Sequence, residues 1–217
     1  PNVAVFDTAF HQTMPRHAYL YAIPYEIYKQ YRVRKYGFHG TSHAYLTSRA
    51  AQLLGIPQDQ ISLVTCHLGN GASVACVENG KSIDTSMGLT PLQGLVMGTR
   101  SGDIDPAIIT YLLGKEEYAD YRKIDKMLNK ESGLLGLSGI SSDMRDVETA
   151  AARDGLGSRA QLALDVFSYR LKFYIGAYMA VLKRIDAIVF SGGVGENGSA
   201  VRWAACSSLA NLGVYID

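Results

Sequence analysis

The amino-acid sequence predicts an α/β fold in which a mixed β-sheet is covered by helices. Three short β-forming runs joined by tight turns lie between residues 61 and 85, a pattern typical of an antiparallel meander. Helical patterns then alternate with a further buried strand, as expected where helices pack on a sheet. The 217 residues are 47% hydrophobic, which is enough to bury a substantial core.

The N-terminal quarter predicts one strand and one regular helix. The apolar run Val3–Phe6 predicts a short strand that ends at Asp7. The tyrosine-rich segment 19–31 contains a proline, so we expect it to be irregular or only partly helical. A helix is predicted over 43–54, with Ser42 as its N-cap and a following glycine and proline to end it.

The most strongly β-forming part of the chain follows that helix. Ile61–Cys66, Ala72–Glu78 and Lys81–Thr85 predict three consecutive strands. His67–Gly71 predicts a glycine-rich turn between the first two, and Asn79-Gly80 predicts a type I′ turn between the last two. The three strands should therefore pair as an antiparallel meander.

The C-terminal half predicts helices alternating with strands. Asp105 followed by proline indicates a helix start, and Ser142 indicates another, with that second helix running to about residue 153. A long helix is predicted at about 158–184, a buried strand at 187–190 and a glycine loop at 191–197. A helix at about 200–209 and the start of a strand at 214–216 follow.

Composition narrows the possible functions. The net charge is +1, which gives no support to a nucleic-acid or membrane-surface role, and no apolar run approaches the roughly 20 residues of a membrane span. Cys66, Cys76 and Cys206 form no CxxC pair and no metal-ligand spacing, so we expect buried thiols in a reducing, cytoplasmic compartment. Because the chain starts at Pro1 without an initiator methionine, we expect an internal fragment.

Two glycine-rich segments are candidates for binding phosphate. The turn His67–Gly71 could present backbone N–H groups to an anion, although Asn-Gly pairs also make ordinary hairpins. The segment Gly193–Asn197 follows a buried strand and precedes a helix, where nucleotides commonly bind. It also begins a G-x-G-x-x-G pattern that ends at Gly198, with Asp217 near the expected acidic position, so a Rossmann dinucleotide site is the rival interpretation.

Three charged or titratable side chains lie at positions suited to phosphoryl transfer. Arg100 lies in a glycine-flanked loop and could clamp a phosphoryl group, or form a surface salt bridge. Asp7 ends a predicted strand and could meet a metal or a reacting hydroxyl, or merely form a turn. His39, between glycines, could donate to an anion or tie down its loop. Together with two glycine-rich segments they favour phosphoryl transfer, which needs positioning and charge neutralisation.

Six motifs resemble those of the acetate kinase family, in the family's order: Phe6–Pro15, Lys35–His43, Thr65–Gly71, Met97–Pro106, Ser142–Asp146 and Gly193–Asn197. The resemblance covers essentially all 217 residues. It implies the superfamily of sugar kinases, Hsp70 and actin, whose two domains each hold a ribonuclease H-like sheet. By this resemblance residues 1–8 would be the last strand of the first domain. Residues 9–217 would be the second, nucleotide-binding domain, incomplete at its C-terminus.

The resemblance also implies roles for individual residues. Asp7 matches the active-site carboxylate that helps organise magnesium and the reacting carboxylate, and His39 and Arg100 match the residues that steady the transferring phosphoryl group. The matches to ATP-binding positions are His67, Leu68, Gly69, Asn70 and Gly71 at the phosphates, Asp143, Met144 and Arg145 at the adenosine, and Gly193, Val194, Gly195, Glu196 and Asn197 in the second nucleotide loop. We therefore prefer ATP over a dinucleotide.

The activity implied is reversible, Mg²⁺-dependent transfer from ATP to acetate, giving acetyl phosphate and ADP. Propionate or butyrate kinase is the alternative within the family, and an NAD-binding oxidoreductase domain is the alternative from another class. The magnesium ligands and part of the acyl pocket are expected in segments outside these 217 residues, so the fragment alone is expected to be inactive. The family's members are commonly homodimers, and no nucleic-acid or membrane partner is expected.

Overall fold

A computed structural model describes residues 2–216. Its centre is a four-stranded mixed sheet of β1 (Leu63–Leu68), β2 (Ala72–Glu78), β3 (Lys81–Thr85) and β4 (Ala187–Ser191). The strand order is β3-β2-β1-β4, and the first three strands form the predicted antiparallel meander. β4 pairs in parallel with β1, so the carboxyl ends of these two strands lie at the same edge of the sheet.

Ten α-helices lie within residues 2–216. They are α1 (Arg16–Tyr19), α2 (Tyr25–Tyr31), α3 (Gly40–Leu54), α4 (Ala107–Leu113), α5 (Tyr121–Lys130), α6 (Gly133–Ser138), α7 (Met144–Asp154), α8 (Arg159–Val181), α9 (Gly192–Asn197) and α10 (Ser199–Cys206). Short 3₁₀ turns occur at Ala9–Thr13, Glu116–Tyr118 and Ala210–Leu212. Within this part of the chain no helix is both long and apolar enough to cross a membrane.

Helices cover both faces of the sheet, as the sequence predicts for an α/β fold. On one face β1 and β2 pack against α8, whose buried side chains include Phe167, Leu171 and Ile175. On the other face β1 packs against α3 through Ala50 and Ala51. The three cysteines are free thiols buried in the core, as expected. The domain therefore has two apolar layers separated by the sheet.

Capping residues mark the N-termini of α7 and α8. Ser158 caps α8, where its Oγ accepts a hydrogen bond from the Gln161 N–H at 3.1 Å. Asp143 caps α7, where its Oδ1 accepts from the Arg145 N–H at 2.9 Å. The prediction that Ser142 caps α7 is wrong by one residue, because the carboxylate of Asp143 is the group within reach of the free N–H.

Several other predicted boundaries differ from the structure. α3 begins at Gly40, with His39 as its N-cap, and the Ser42 hydroxyl turns instead to the imidazole of His67. β1 starts at Leu63 and continues through Leu68, so the glycine turn is shorter than predicted. α8 ends at Val181, three residues before its predicted end. The predicted glycine loop over 191–197 is mostly the short helix α9.

The two predicted terminal strands do not form among the described residues. Val3, Val5 and Phe6 are 84%, 74% and 69% exposed, and no strand in residues 2–216 pairs with them. The segment 214–216 likewise pairs with no strand in that range. β-forming side chains alone do not make a strand, because the extended backbone needs a neighbour to satisfy its hydrogen bonds.

The turn between β2 and β3 has the predicted type I′ geometry, since Asn79 and Gly80 have φ of 50° and 73°. A Cβ on Gly80 would clash with the backbone oxygen of Gln58. Gly55, at the end of α3, has a similar φ of 65° but open space around it. Alanine substitutions at the two glycines therefore distinguish the loss of stability caused by a positive φ from the loss caused by a clash.

We predict that Gly80→Ala lowers the free energy of unfolding by about 3 kcal/mol, because backbone strain and overpacking add. The matched variant Gly55→Ala should cost only about 1 kcal/mol, because it introduces strain alone. Urea unfolding followed by circular dichroism measures both. Equal losses in the two variants would contradict the clash at Gly80.

Candidate active site

The candidate site lies where the carboxyl end of β1 meets the N-terminus of α3 and the loop that carries Arg100. The turn after β1 is closed by a hydrogen bond from the Gly69 N–H to the Gly71 oxygen at 3.0 Å. The Asn70 oxygen accepts from the Gly98 N–H at 3.0 Å, which ties this turn to the arginine loop. Residues from three distant parts of the sequence thus meet around one turn.

Asp7 fixes the backbone at the start of α3. Its Oδ2 accepts a hydrogen bond from the His39 N–H at 2.7 Å, and its backbone oxygen accepts from the Gly40 N–H at 2.7 Å. His39 has a φ of 55°, which is uncommon for a residue with a side chain. The exposed carboxylate of Asp7 therefore stabilises an unusual backbone conformation next to the ring of His39.

His39 and Arg100 converge over Gly71. A Cβ placed on Gly71 would lie 3.4 Å from His39 Nε2 and 3.4 Å from Arg100 Nη1. The structure thus brings together the two residues predicted to steady a phosphoryl group. Because Gly71 has no side chain, the space between the imidazole and the guanidinium stays open to a small anion.

Arg100 is not used in a surface salt bridge. Within residues 2–216 no carboxylate lies within 4.0 Å of its guanidinium, and Nη1 instead donates to the Pro91 oxygen at 3.2 Å and contacts Met97 Sδ at 3.5 Å. The loop is held by a hydrogen bond from the Ser101 N–H to the Leu128 oxygen at 3.0 Å. The guanidinium is positioned by uncharged groups, which leaves its charge available to an anion.

The imidazoles of the site are held neutral. Burial, reinforced by nearby His67 and Arg100, lowers the pKa of His39 to about 4, although the carboxylate of Asp7 opposes the shift. Burial also lowers the pKa of His67, whose ring lies 4.3 Å from that of His39 between centroids. Near pH 7 these rings can therefore act as hydrogen-bonding groups without adding charge.

A cleft of about 860 Å³ adjoins this point, which is within the range of small-ligand sites. It is bordered by the three segments predicted to bind ATP, through Gly69, Asn70, Asp143, Met144, Arg145, Gly193, Val194 and Asn197. The other predicted ATP-binding residues do not line it: His67, Leu68, Gly71, Gly195 and Glu196. Leu68 and Gly195 are buried beneath it, which follows from their places on β1 and in α9.

Further lining residues were missed by the sequence reasoning. Glu148 follows Met144 by one turn of α7 and so shares its face, a spacing that could have indicated it. Gly98 and Gly198 line the cleft too; the sequence placed them in the Met97–Pro106 motif and the G-x-G-x-x-G pattern but did not predict them as ATP contacts. Leu134 and Phe167 also line the cleft, but they come from separate segments and carry no common local pattern. Their position follows only from the tertiary packing.

Asp143 and Arg145 form an exposed ion pair at the cleft. Asp143 Oδ2 accepts from Arg145 Nη2 at 2.6 Å, and Oδ1 accepts from Nε at 3.0 Å. The hydrogen bonds from Arg145, through its side chain first and its backbone second, lower the pKa of Asp143 to about 2. The pair keeps opposite charges beside the cleft, and solvent screens it because Arg145 is largely exposed.

The segment after β4 does not have the geometry of a dinucleotide-binding turn. Gly193 and Gly195 lie inside α9, and Gly198 ends that helix rather than packing a long helix against a strand. A Cβ on Gly193 would meet no atom within 4 Å, so its backbone borders the open cleft. Asp217, the acidic residue of the rival interpretation, lies outside the described residues.

The fold and the site define a ribonuclease H-like α/β domain of the kind found in sugar kinases, Hsp70 and actin, with a cleft at the carboxyl ends of parallel strands. The chain belongs to the acetokinase family, whose family model matches residues 1–217. The resemblance noted in the sequence is therefore confirmed.

Curated relatives named as acetate kinases match the whole chain. It is 60% identical over 217 residues to the acetate kinase of Acetivibrio thermocellus and 59% identical to that of Halothermothrix orenii, covering 100% of this chain and 54% of each relative. The chain thus spans about half the length of the curated relatives it matches.

Solved structures of the family share the fold. The acetate kinase of Porphyromonas gingivalis superposes with a TM-score of 0.94 at 48% identity, over 98% of this chain and 53% of that one. A propionate kinase from Francisella tularensis superposes with a TM-score of 0.92 at 51% identity, over 98% and 54%. The mixed sheet and its flanking helices are therefore those of this family.

The environment of His39 generates a pH prediction. We expect its ring to titrate near pH 4 in NMR spectra of histidine-labelled protein, because burial disfavours the imidazolium. Its folded pKa lies below the unfolded value, so the unfolded chain binds more protons between about pH 6.5 and pH 4. The free energy of unfolding should therefore fall as the pH falls through this window. A His39 midpoint above pH 6 would contradict the prediction.

Proposed function

We propose that the protein carrying this chain is an acetate kinase, which reversibly transfers a phosphoryl group from ATP to acetate and forms acetyl phosphate and ADP. The observation that carries the proposal is the convergence of His39 and Arg100 over Gly71, next to a nucleotide-sized cleft. Identity of 60% to a curated acetate kinase supports it. No feature of the cleft favours the dinucleotide alternative.

In this proposal the cleft holds the nucleotide and the glycine turn holds its phosphates. Asp143, Met144 and Arg145 would contact the adenosine, and the backbone of Gly193 would border it. The turn Gly69–Gly71 would place the terminal phosphate beside Arg100. This arrangement uses backbone N–H groups and small residues, which allow close approach to phosphate oxygens.

The chain's own groups would stabilise the transferring phosphoryl by position and charge. Arg100 supplies a permanent cation whose planar fork matches phosphoryl oxygens. His39, neutral near pH 7, would supply a ring hydrogen bond at the same point. Because neither group needs to reorganise, both can favour the transition state over the ground state.

Asp7 fits a role in helping to organise Mg²⁺ and the reacting carboxylate, because its carboxylate is exposed next to His39. Mg²⁺ is usually bound by one or two carboxylates together with substrate phosphates, and when bound it neutralises charge on the phosphates. Within residues 2–216 no group of three or more acidic, His or Cys side chains forms a metal cage. The magnesium ligands themselves would come from outside the 217 residues.

Propionate or butyrate kinase is the second candidate, because the solved propionate kinase is 51% identical and superposes closely.

The family resemblance also supports three wider proposals: residues 1–8 belong to a first domain and 9–217 to a second, the protein is a homodimer, and it is cytoplasmic. The mass of the purified protein in solution tests the homodimer.

We expect the full-length protein that carries this sequence to form acetyl phosphate from ATP in an acetate-dependent reaction. The measurement is kcat/KM for acetate, propionate and butyrate at saturating Mg-ATP. A highest value with acetate supports the main proposal, and a highest value with a longer acid favours the second candidate. ATP turnover that no carboxylic acid stimulates would exclude both.

Arg100→Ala should lower kcat by about 10³-fold, as expected when an arginine that stabilises phosphoryl transfer is removed. Arg100→Lys should recover only part of this, because a lysine keeps the charge but loses the fork. Arg153→Ala is the matched control, since Arg153 is exposed and pairs only with its neighbour Asp154. A wild-type rate in Arg100→Ala would refute the role.

A further inference from the structure

A chain of hydrogen bonds leads from the buried sheet to the ring of His39. Thr65 Oγ1 lies 2.8 Å from His43 Nδ1, and His43 Nε2 lies 2.8 Å from Ser73 Oγ. Ser73 Oγ also lies 2.8 Å from His39 Nδ1. Thr65, His43 and Ser73 are fully buried, and neither the sequence motifs nor the proposed nucleotide contacts give them a role.

The direction of these hydrogen bonds follows from counting hydrogens. A neutral imidazole carries one N–H and one bare nitrogen, and each hydroxyl has one hydrogen to donate. If Thr65 donates to His43 Nδ1, then His43 Nε2–H donates to Ser73, and Ser73 donates to His39 Nδ1. Every buried hydroxyl hydrogen then has an acceptor, and the single ring proton of His39 is on Nε2.

The other arrangements each leave a buried hydroxyl hydrogen without an acceptor. If the chain runs in the opposite direction, the Thr65 hydroxyl has no acceptor, because His43 is its only hydrogen-bond partner within residues 2–216. If both rings donate to Ser73, the Ser73 hydrogen is stranded, because the two rings are its only side-chain partners in the same range. Buried donors without acceptors are costly, so the first arrangement is favoured.

The rings must be neutral for this argument, and their surroundings keep them so. Burial lowers the pKa of His43 well below its ordinary value, and nearby His11 and His39 add to the effect. Burial likewise holds the pKa of His39 at about 4. Near pH 7 the question for His39 is therefore only which nitrogen carries its proton.

We propose that Thr65, His43 and Ser73 are positioning residues that fix the tautomer of His39, so that Nε2–H points into the space over Gly71. The inference rests on the proposed phosphoryl-transfer function. The three residues would act through His39 and would not contact the phosphoryl group themselves. Nε2 is the ring atom that lies 3.4 Å from the Cβ position of Gly71, and Arg100 Nη1 lies 3.4 Å from the same position. In this tautomer it donates to a phosphoryl oxygen, whereas a bare Nε2 would repel it.

The tautomer can be read without any kinase assay. In long-range ¹H–¹⁵N spectra of histidine-labelled, full-length protein near pH 7, we expect His39 to carry its proton on Nε2 and to have a bare Nδ1. His43 should show the same tautomer. A His39 ring protonated on Nδ1 overturns the proposal, whether or not the protein has kinase activity, so this result is separate from failure of the proposed function.

Kinetics test whether the tautomer matters. Ser73→Ala should lower kcat about 10- to 100-fold, the usual effect of an outer hydrogen-bond partner, and should leave KM for ATP within about twofold. His43→Leu should cause a similar loss, and His43→Gln should restore most of it, because the glutamine amide can still donate to Ser73. The matched control is Ser62→Ala, which removes a buried hydroxyl that accepts from the Asn79 N–H at 3.3 Å, at the opposite end of β1 from the site.

A double variant separates this role from a purely structural one. In a His39→Ala background, Ser73→Ala should cause no further loss of kcat, because the residue through which it acts is gone. An equal loss in both backgrounds overturns the proposal, as does a wild-type kcat in Ser73→Ala. A shift of the His39 ring toward the Nδ1–H tautomer in Ser73→Ala, together with the lower kcat, supports it.

Discussion

The pleat of β1 is the constraint on which the site depends, because it divides the strand's side chains between the two faces of the sheet. One set packs into the core beneath α8, and the other set turns Thr65 and His67 toward α3, where they meet His43 and Ser42. The pairing with β2 places Ser73 directly opposite His67. A slip of one residue would exchange the two sets, so the same register determines the core and the geometry of the site.

The same packing sets the electrostatics of the site. The rings of His39 and His67 lie 4.3 Å apart and those of His11 and His43 lie 5.6 Å apart, so several protonated rings would repel each other in a poorly hydrated space. Burial holds the imidazoles neutral, and Arg100 is left as the cation facing the space over Gly71. An incoming anion therefore meets one fixed charge and several uncharged donors.

Local signals account for the parts of the fold that the sequence predicted well. Ala72–Glu78 and Lys81–Thr85 match β2 and β3 because the Asn-Gly turn between them is a local signal. The turn sets the pairs next to it, and a register shift between Cys76 and Val77 changes the pairing farther along. Val3–Phe6 was wrongly predicted as a strand because pairing depends on a neighbour that local sequence does not reveal. The meeting of His39 with Arg100 joins residues 61 positions apart, and only the family resemblance indicated it.

Hydrogen bonds join the arginine loop to the glycine turn, and in the proposed reaction this favours preorganisation over closure of the loop onto the substrate. The turn is joined to the loop through the Gly98 N–H and the Asn70 oxygen, and the loop is joined to its surroundings through the Ser132 N–H and the Thr99 oxygen, both at 3.0 Å. Gly98 and Thr99, which form these bonds, directly precede Arg100 in the chain. In the proposed phosphoryl transfer, a guanidinium held in this way would need little rearrangement when charge develops on the phosphoryl group, which is the condition under which a fixed cation lowers the barrier most.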